Sequence, residues 1–83
     1  MRKEKEIKNE ILKQIFLISS GKITEIDNDS DLKIVLDSIE IIQLLAKCEE
    51  VFDYDFTYQE IDAMKSISIN KLCGYFILSR VHE

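Results

Sequence analysis

The chain is 83 residues long, with 11 Lys/Arg against 16 Asp/Glu, a net charge of -5, two glycines, no proline and no tryptophan. This length predicts a single domain over residues 1–83 that buries only roughly 60% of the surface its unfolded chain exposes, which excludes a large closed active site. No stretch approaches the ~18 consecutive apolar residues of a membrane span, and plentiful Ile, Leu, Lys and Glu with so few breakers favour helices over strands.

The opening MRKEKEIKNE mixes both signs of charge and has no apolar signal core. It does not read as a secretory leader, so the cytoplasm is the expected location. Residues 3–18 read as a first helix, because Ile7, Ile11, Leu12, Ile15, Phe16 and Ile18 recur at helical spacing with Lys and Glu between them. Ser19, Ser20 and Gly21 stop it, and Gly21 suits a left-handed cap. Residues 22–37 lack helical periodicity and read as a long loop. Ile23, Ile26, Leu32, Ile34, Val35 and Leu36 are its expected anchors on the helices. A loop this long in a small domain is often functional.

Residues 38–52 read as a second helix. Ile41, Leu44, Leu45, Cys48 and Phe52 share the face expected to be core. Glu40, Gln43, Lys47 and Glu50 lie opposite, while Ile39, Ile42 and Ala46 form an apolar flank suited to docking. Asp53 or Asp55 is expected to turn the chain. Thr57 with Glu60 forms a capping-box pattern for a short third helix, with Ile61 and Met64 pointing inward. Ser66 or Ser68 starts a fourth helix to about Arg80, with Ile69, Leu72, Cys73, Phe76 and Ile77 inside. The fold class is therefore all-α: a small bundle of three main helices and one short one, with a long loop between helices 1 and 2.

Charge is unevenly spread. Residues 1–24 carry six Lys/Arg and three Asp/Glu; residues 25–62 carry twelve Asp/Glu against Lys33 and Lys47. Such an acidic middle repels nucleic acid and attracts basic partners. Cys48 and Cys73 sit in apolar stretches and read as reduced thiols in a core. The Asp27–Asp31 run begins like a calcium loop, but Leu32 stands where the loop needs glycine and Ser38 where it needs glutamate. His82 has no matching ligand set and reads as an exposed terminal residue. Tyr54, Tyr58 and Tyr75 read as packing residues with wet hydroxyls.

The head of the second helix is the candidate site. Asp37 with Glu40 fits a capping box, which places Ser38 at the first helical position, free of capping duty. A phosphate ester on that hydroxyl would sit beside the positive end of the helix. No histidine lies next to Ser38 in sequence to serve an internal nucleophile, which disfavours a serine hydrolase.

In this setting the chain resembles the acyl carrier protein family. The resemblance rests on Asp29-Ser30-Asp31-Leu32, on Leu36-Asp37-Ser38-Ile39, on Ile42, Leu45, Glu49-Glu50 and Phe52, and on Ser68-Ile69-Asn70-Lys71-Leu72 before Tyr75-Phe76. It covers nearly the whole chain in order and spacing. It implies a monomeric carrier, not an enzyme, with 4′-phosphopantetheine from coenzyme A on Ser38 and an acyl or aminoacyl thioester on the arm. Asp37 would be the neighbour read by the phosphopantetheinyl transferase. Ile39, Glu40, Ala46, Glu49 and Glu50 would face acyl-activating, acyl-transfer and condensing enzymes through their basic patches.

Lys33, Ile34 and Val35 stand where many members have a glycine, Ile39 where leucine is commoner, and Asp53 where a glycine often ends the helix. Gln43 and Lys47 also dilute the acidity of that helix. These departures point to a specialised fatty acid, polyketide or related pathway. The alternatives are an aminoacyl, peptidyl or D-alanyl carrier, or an unmodified acidic helical interaction module.

Overall fold

The computed structural model describes residues 3–78, and all regular structure among them is helical. The expected run of the last helix to Arg80, and His82, lie outside the described residues. Five helices follow in order: α1 Glu4–Ile18, α2 Leu32–Val35, α3 Ser38–Phe52, α4 Tyr58–Ala63 and α5 Ile69–Leu78. None of them is long and apolar enough to cross a membrane.

α1 buries Ile7, Ile11 and Ile15. Gln14 joins them, with its Nε2 donating to Glu10 Oε2 at 2.8 Å, an amide that polarity alone would place outside. Phe16 is 43% exposed instead of inside. The helix ends in paired back-bonds: Ser20 N–H donates to Leu17 O and Gly21 N–H to Phe16 O. This pattern needs a left-handed residue just past the helix. Ser20 takes that place with φ 58°, and Gly21 follows with φ 81°. The expected cap is thus shared, with serine at the position assigned to glycine.

α1 packs against both α3 and α5. The core between them holds Ile7, Ile11 and Ile15 of α1, Leu44 and Cys48 of α3, and Leu72 and Phe76 of α5, all fully enclosed. Each such aliphatic side chain contributes about 1.5–3 kcal/mol relative to exposure. Phe52 stacks on Phe76 with ring centroids 4.4 Å apart, and Tyr54 and Phe56 meet Phe76 edge-on. Cys48 and Cys73 are free, buried thiols, and burial pushes the Cys48 thiol up to about 12, which makes it a poor nucleophile.

The loop expected over residues 22–37 contains α2. Asp31 caps it, accepting from Lys33 N–H at 3.1 Å. Leu32 and Leu36 are buried as anchors, whereas Ile34 and Val35 are 82% and 46% exposed. One turn of helix turns those two side chains away from the core, a consequence that a loop reading misses.

α3 buries Ile41, Leu44, Leu45, Cys48 and Phe52, the face read from its periodicity. Asp53 ends it in the left-handed region with φ 54°. Glu49 O then accepts from Tyr54 N–H. α4 has the Thr57–Glu60 capping box but no buried residue: Ile61 is 42% exposed, and only Met64, just past the helix, points inward. Ser68 Oγ accepts from Lys71 N–H at the start of α5, so Ser68 and not Ser66 leads that helix. Ile77 is only partly buried.

Candidate functional site

The site begins with a local competition for the first N–H groups of α3. Asp37 is extended, with φ -79° and ψ 176°. Its Oδ1 accepts from Glu40 N–H at 2.8 Å, and Glu40 Oε1 accepts from Asp37 N–H at 2.9 Å. Both arms of the capping box are closed. Ser38 is exposed at the first helical position, and its hydroxyl has no hydrogen-bond partner among the described residues. The N–H groups of Ser38 and Ile39 are likewise unpartnered there. An exposed hydroxyl beside open donors and the positive end of a four-turn helix is a favourable setting for a phosphoester.

The surface around this serine is apolar with acidic borders. Ile39 and Ile42 are each 66% exposed on α3. Ile34 and Val35 of α2 add two more exposed aliphatic side chains within four residues of Ser38. The loop expectation makes both of them anchors, whereas the turn of α2 makes them surface. Between α1 and the head of α3 a groove of about 390 Å³ is lined by Ile18, Ser20, Lys22, Ile23, Val35 and Asp37, among others.

The residues expected to meet partners have different local tasks. Glu40 is committed to the capping box. Glu49 is half-buried, and its Oε2 accepts from Phe56 N–H at 2.8 Å, so this carboxylate closes the turn after α3. Glu50 pairs with Lys47 at 3.3 Å, and with Ala46 it borders a second groove of about 380 Å³ against Gln14 and Leu17 of α1. Asp37, Ser38, Ile39 and Glu40 are thus brought together at the head of α3; Ala46 and Glu50 follow further along the same helix on the face of Ile39, and Glu49 is turned to Phe56 N–H.

A polar seam supports the site from below. Leu32 N–H donates to Ile67 O at 2.6 Å, and Ile67 N–H donates to Asp31 Oδ1 at 3.1 Å. Lys33 Nζ donates to Met64 O at 3.1 Å and to Lys65 O at 3.3 Å. Asn70 N–H donates to Asn28 O, and its side-chain amide to Asp29 Oδ1. The acids of the calcium-like run are therefore occupied by protein donors: Asp27 accepts from Asp29 N–H, Asp29 from Asn70, and Asp31 from Ile67 and Lys33. The Ile67 and Lys33 N–H groups hold the Asp31 carboxyl below its ordinary value. The signal for this seam was Asp31 directly before Leu32, a helix-cap pattern too short to show as periodicity.

The tyrosines part ways. Tyr58 is 86% exposed and packs on nothing that buries it. Tyr54 OH donates to Glu60 Oε2 at 2.6 Å, so its hydroxyl is bonded to protein. Burial first, then that bond, pushes Tyr54 up to about 12, and the same hydroxyl holds the Glu60 carboxyl below its usual range.

Comparison of the chain with protein-family models, with curated proteins and with solved structures found no match.

Proposed function

We propose that this chain is an acyl-carrier-type domain that bears 4′-phosphopantetheine on Ser38 and presents a thioester-bound acyl or aminoacyl group to other enzymes. The observation that carries the reading is the exposed Ser38 hydroxyl, left without a structural task because Asp37 and Glu40 cap α3 between themselves. The resemblance of the Leu36–Ile39 segment and its flanks to acyl carrier proteins supports it.

The residues present fit such a group. In the transfer from coenzyme A, Ser38 Oγ attacks the phosphorus that bears the pantetheine half. The P–O bond to the adenosine bisphosphate half breaks, a base of the transferase takes the hydroxyl proton, and a phosphodiester joins the arm to the serine. The unpartnered Ser38 and Ile39 N–H groups and the positive end of α3 would favour the added charge, an effect of about 0.3–1 kcal/mol at an exposed helix end. The arm supplies a thiol that holds the cargo as a reactive thioester. Ile39 and Ile42 offer apolar contact on α3, and the acidic surroundings steer basic enzymes toward it. Weak, charge-steered docking allows repeated binding and release.

The test is intact-mass spectrometry before and after incubation with coenzyme A, magnesium and a broad-specificity phosphopantetheinyl transferase. Wild type is expected to gain one phosphopantetheine increment and Ser38→Ala none. A folded wild type that gains nothing points instead to an unmodified acidic module that docks through the same surface. Gain on Ser38→Ala places the attachment elsewhere. Fatty acyl, polyketide, peptidyl and D-alanyl cargoes are then separated by which activating enzyme loads the thiol.

A further inference from the structure

α2 has only four residues. A single turn cannot sustain itself in water, because helix nucleation costs more than one turn returns. Its own burial is limited to Leu32. Something outside α2 must hold it, and the structure shows a clasp. Asp31 caps the turn and at the same time accepts from Ile67 N–H. Two residues on, the Lys33 ammonium reaches across to the carbonyls of Met64 and Lys65, where α4 ends. The two side chains grip one short segment, residues 64–67, from a distance of more than thirty residues in sequence.

Ser38 is five residues beyond Lys33, with Ile34, Val35, Leu36 and Asp37 between. Leu36 is buried and Asp37 is locked in the capping box, so the connection is short and taut. None of Lys33, Ile34 and Val35 has a positive φ, so this corner needs no glycine.

We infer that Lys33, with Asp31, is a positioning residue for the chemistry at Ser38: it fastens α2 to the α4–α5 connection and so holds the surface beside the serine in the form a modifying enzyme docks on. This inference rests on the reading of Ser38 as the attachment site. Lys33 does not touch the reacting atoms. With the clasp open, the transferase must order α2 as it binds, which raises KM and leaves kcat in place. A side chain that merely stabilised the fold would lower the melting temperature and the active fraction without changing KM.

The experiment compares wild type, Lys33→Met and Lys33→Arg. Methionine keeps an apolar stem and removes the donors; arginine keeps a cation and donors. Amide hydrogen exchange over residues 31–38 and 64–70 is measured alongside steady-state arm transfer from coenzyme A. In Lys33→Met, exchange over 31–36 is expected to quicken by about threefold to tenfold, the factor a hydrogen bond is worth, and KM to rise by a similar factor at constant kcat. Lys33→Arg is expected to recover both. Should Lys33→Met fail to fold, Asp31→Ala, which removes the acceptor of the Ile67 N–H, opens the other jaw and is read the same way.

Unchanged exchange in folded Lys33→Met overturns the clasp. Faster exchange with unchanged KM overturns the positioning role while the attachment reading stands. A wild type that takes no arm overturns the attachment reading and, with it, this role; the exchange data then still report the clasp by itself.

Discussion

At the scale of single residues, the division of labour between Asp37 and Ser38 decides what the site can do. Both have side chains able to cap a helix, and a serine that capped α3 would have its oxygen occupied by the Glu40 N–H. Asp37 takes that bond at 2.8 Å, and Glu40 returns one at 2.9 Å. Removing an N-cap costs about 1 kcal/mol. Asp37→Ala is therefore expected to lower the melting temperature by about 4–8 °C, the shift such a loss makes in a domain of this size, while Asp37→Asn keeps most of the stability. Thermal unfolding by circular dichroism checks this. A larger loss of arm transfer in Asp37→Asn than in melting temperature would show that the transferase reads the charge of Asp37 as well as its cap.

At the scale of elements, α3 has two apolar surfaces with opposite tasks. Leu44 is fully enclosed in the core, whereas Ile42, two residues earlier, is 66% exposed. Leu44→Ala leaves a cavity and is expected to cost about 2–5 kcal/mol. Ile42→Ala is expected to stay within about 0.5 kcal/mol of wild type, as exposed substitutions do. Chemical denaturation of the pair measures both, and equal losses would mean that Ile42 is covered in solution. α4 is the contrasting element. It buries nothing along its length and is held by the Thr57–Glu60 box, the Tyr54–Glu60 bond and the Lys33 bond to Met64 O. Few buried apolar contacts mark a segment that opens locally.

At the scale of the whole molecule, two depressed carboxyls make stability depend on acid. Asp31 is lowered chiefly by the Ile67 N–H, and Glu60 chiefly by the Tyr54 hydroxyl. A carboxyl whose folded value lies below its unfolded value adds stability above the unfolded value and loses it as pH falls through the folded one. The protein is therefore expected to keep these contributions at neutral pH and lose them progressively below about pH 4, the ordinary carboxylate range. Urea midpoints measured from pH 6 to pH 2 test this. Asp31→Asn is expected to flatten the fall, because asparagine still accepts from Ile67 N–H without titrating. An unaltered slope in Asp31→Asn would assign the acid sensitivity to other groups.

Much of this was legible in the order of residues. Helical spacing of apolar side chains identified α1, α3 and α5 and most of their core residues, and Asp37-Ser38-Ile39-Glu40 and Thr57–Glu60 announced the caps of α3 and α4, because these devices act within a few residues of one another. Tertiary structure decided the rest. α2 could not be read, since its support comes from Ile67, Met64 and Lys65, far along the chain. Ile34 and Val35 look like anchors until that turn points them outward. Ser20 adopts the left-handed cap because two back-bonds close on it, and Glu49 faces Phe56 N–H because Asp53 turns the chain. Local hydrogen bonds and apolar periodicity are written in neighbouring residues. Which side chain meets a distant backbone group is settled only when the helices pack.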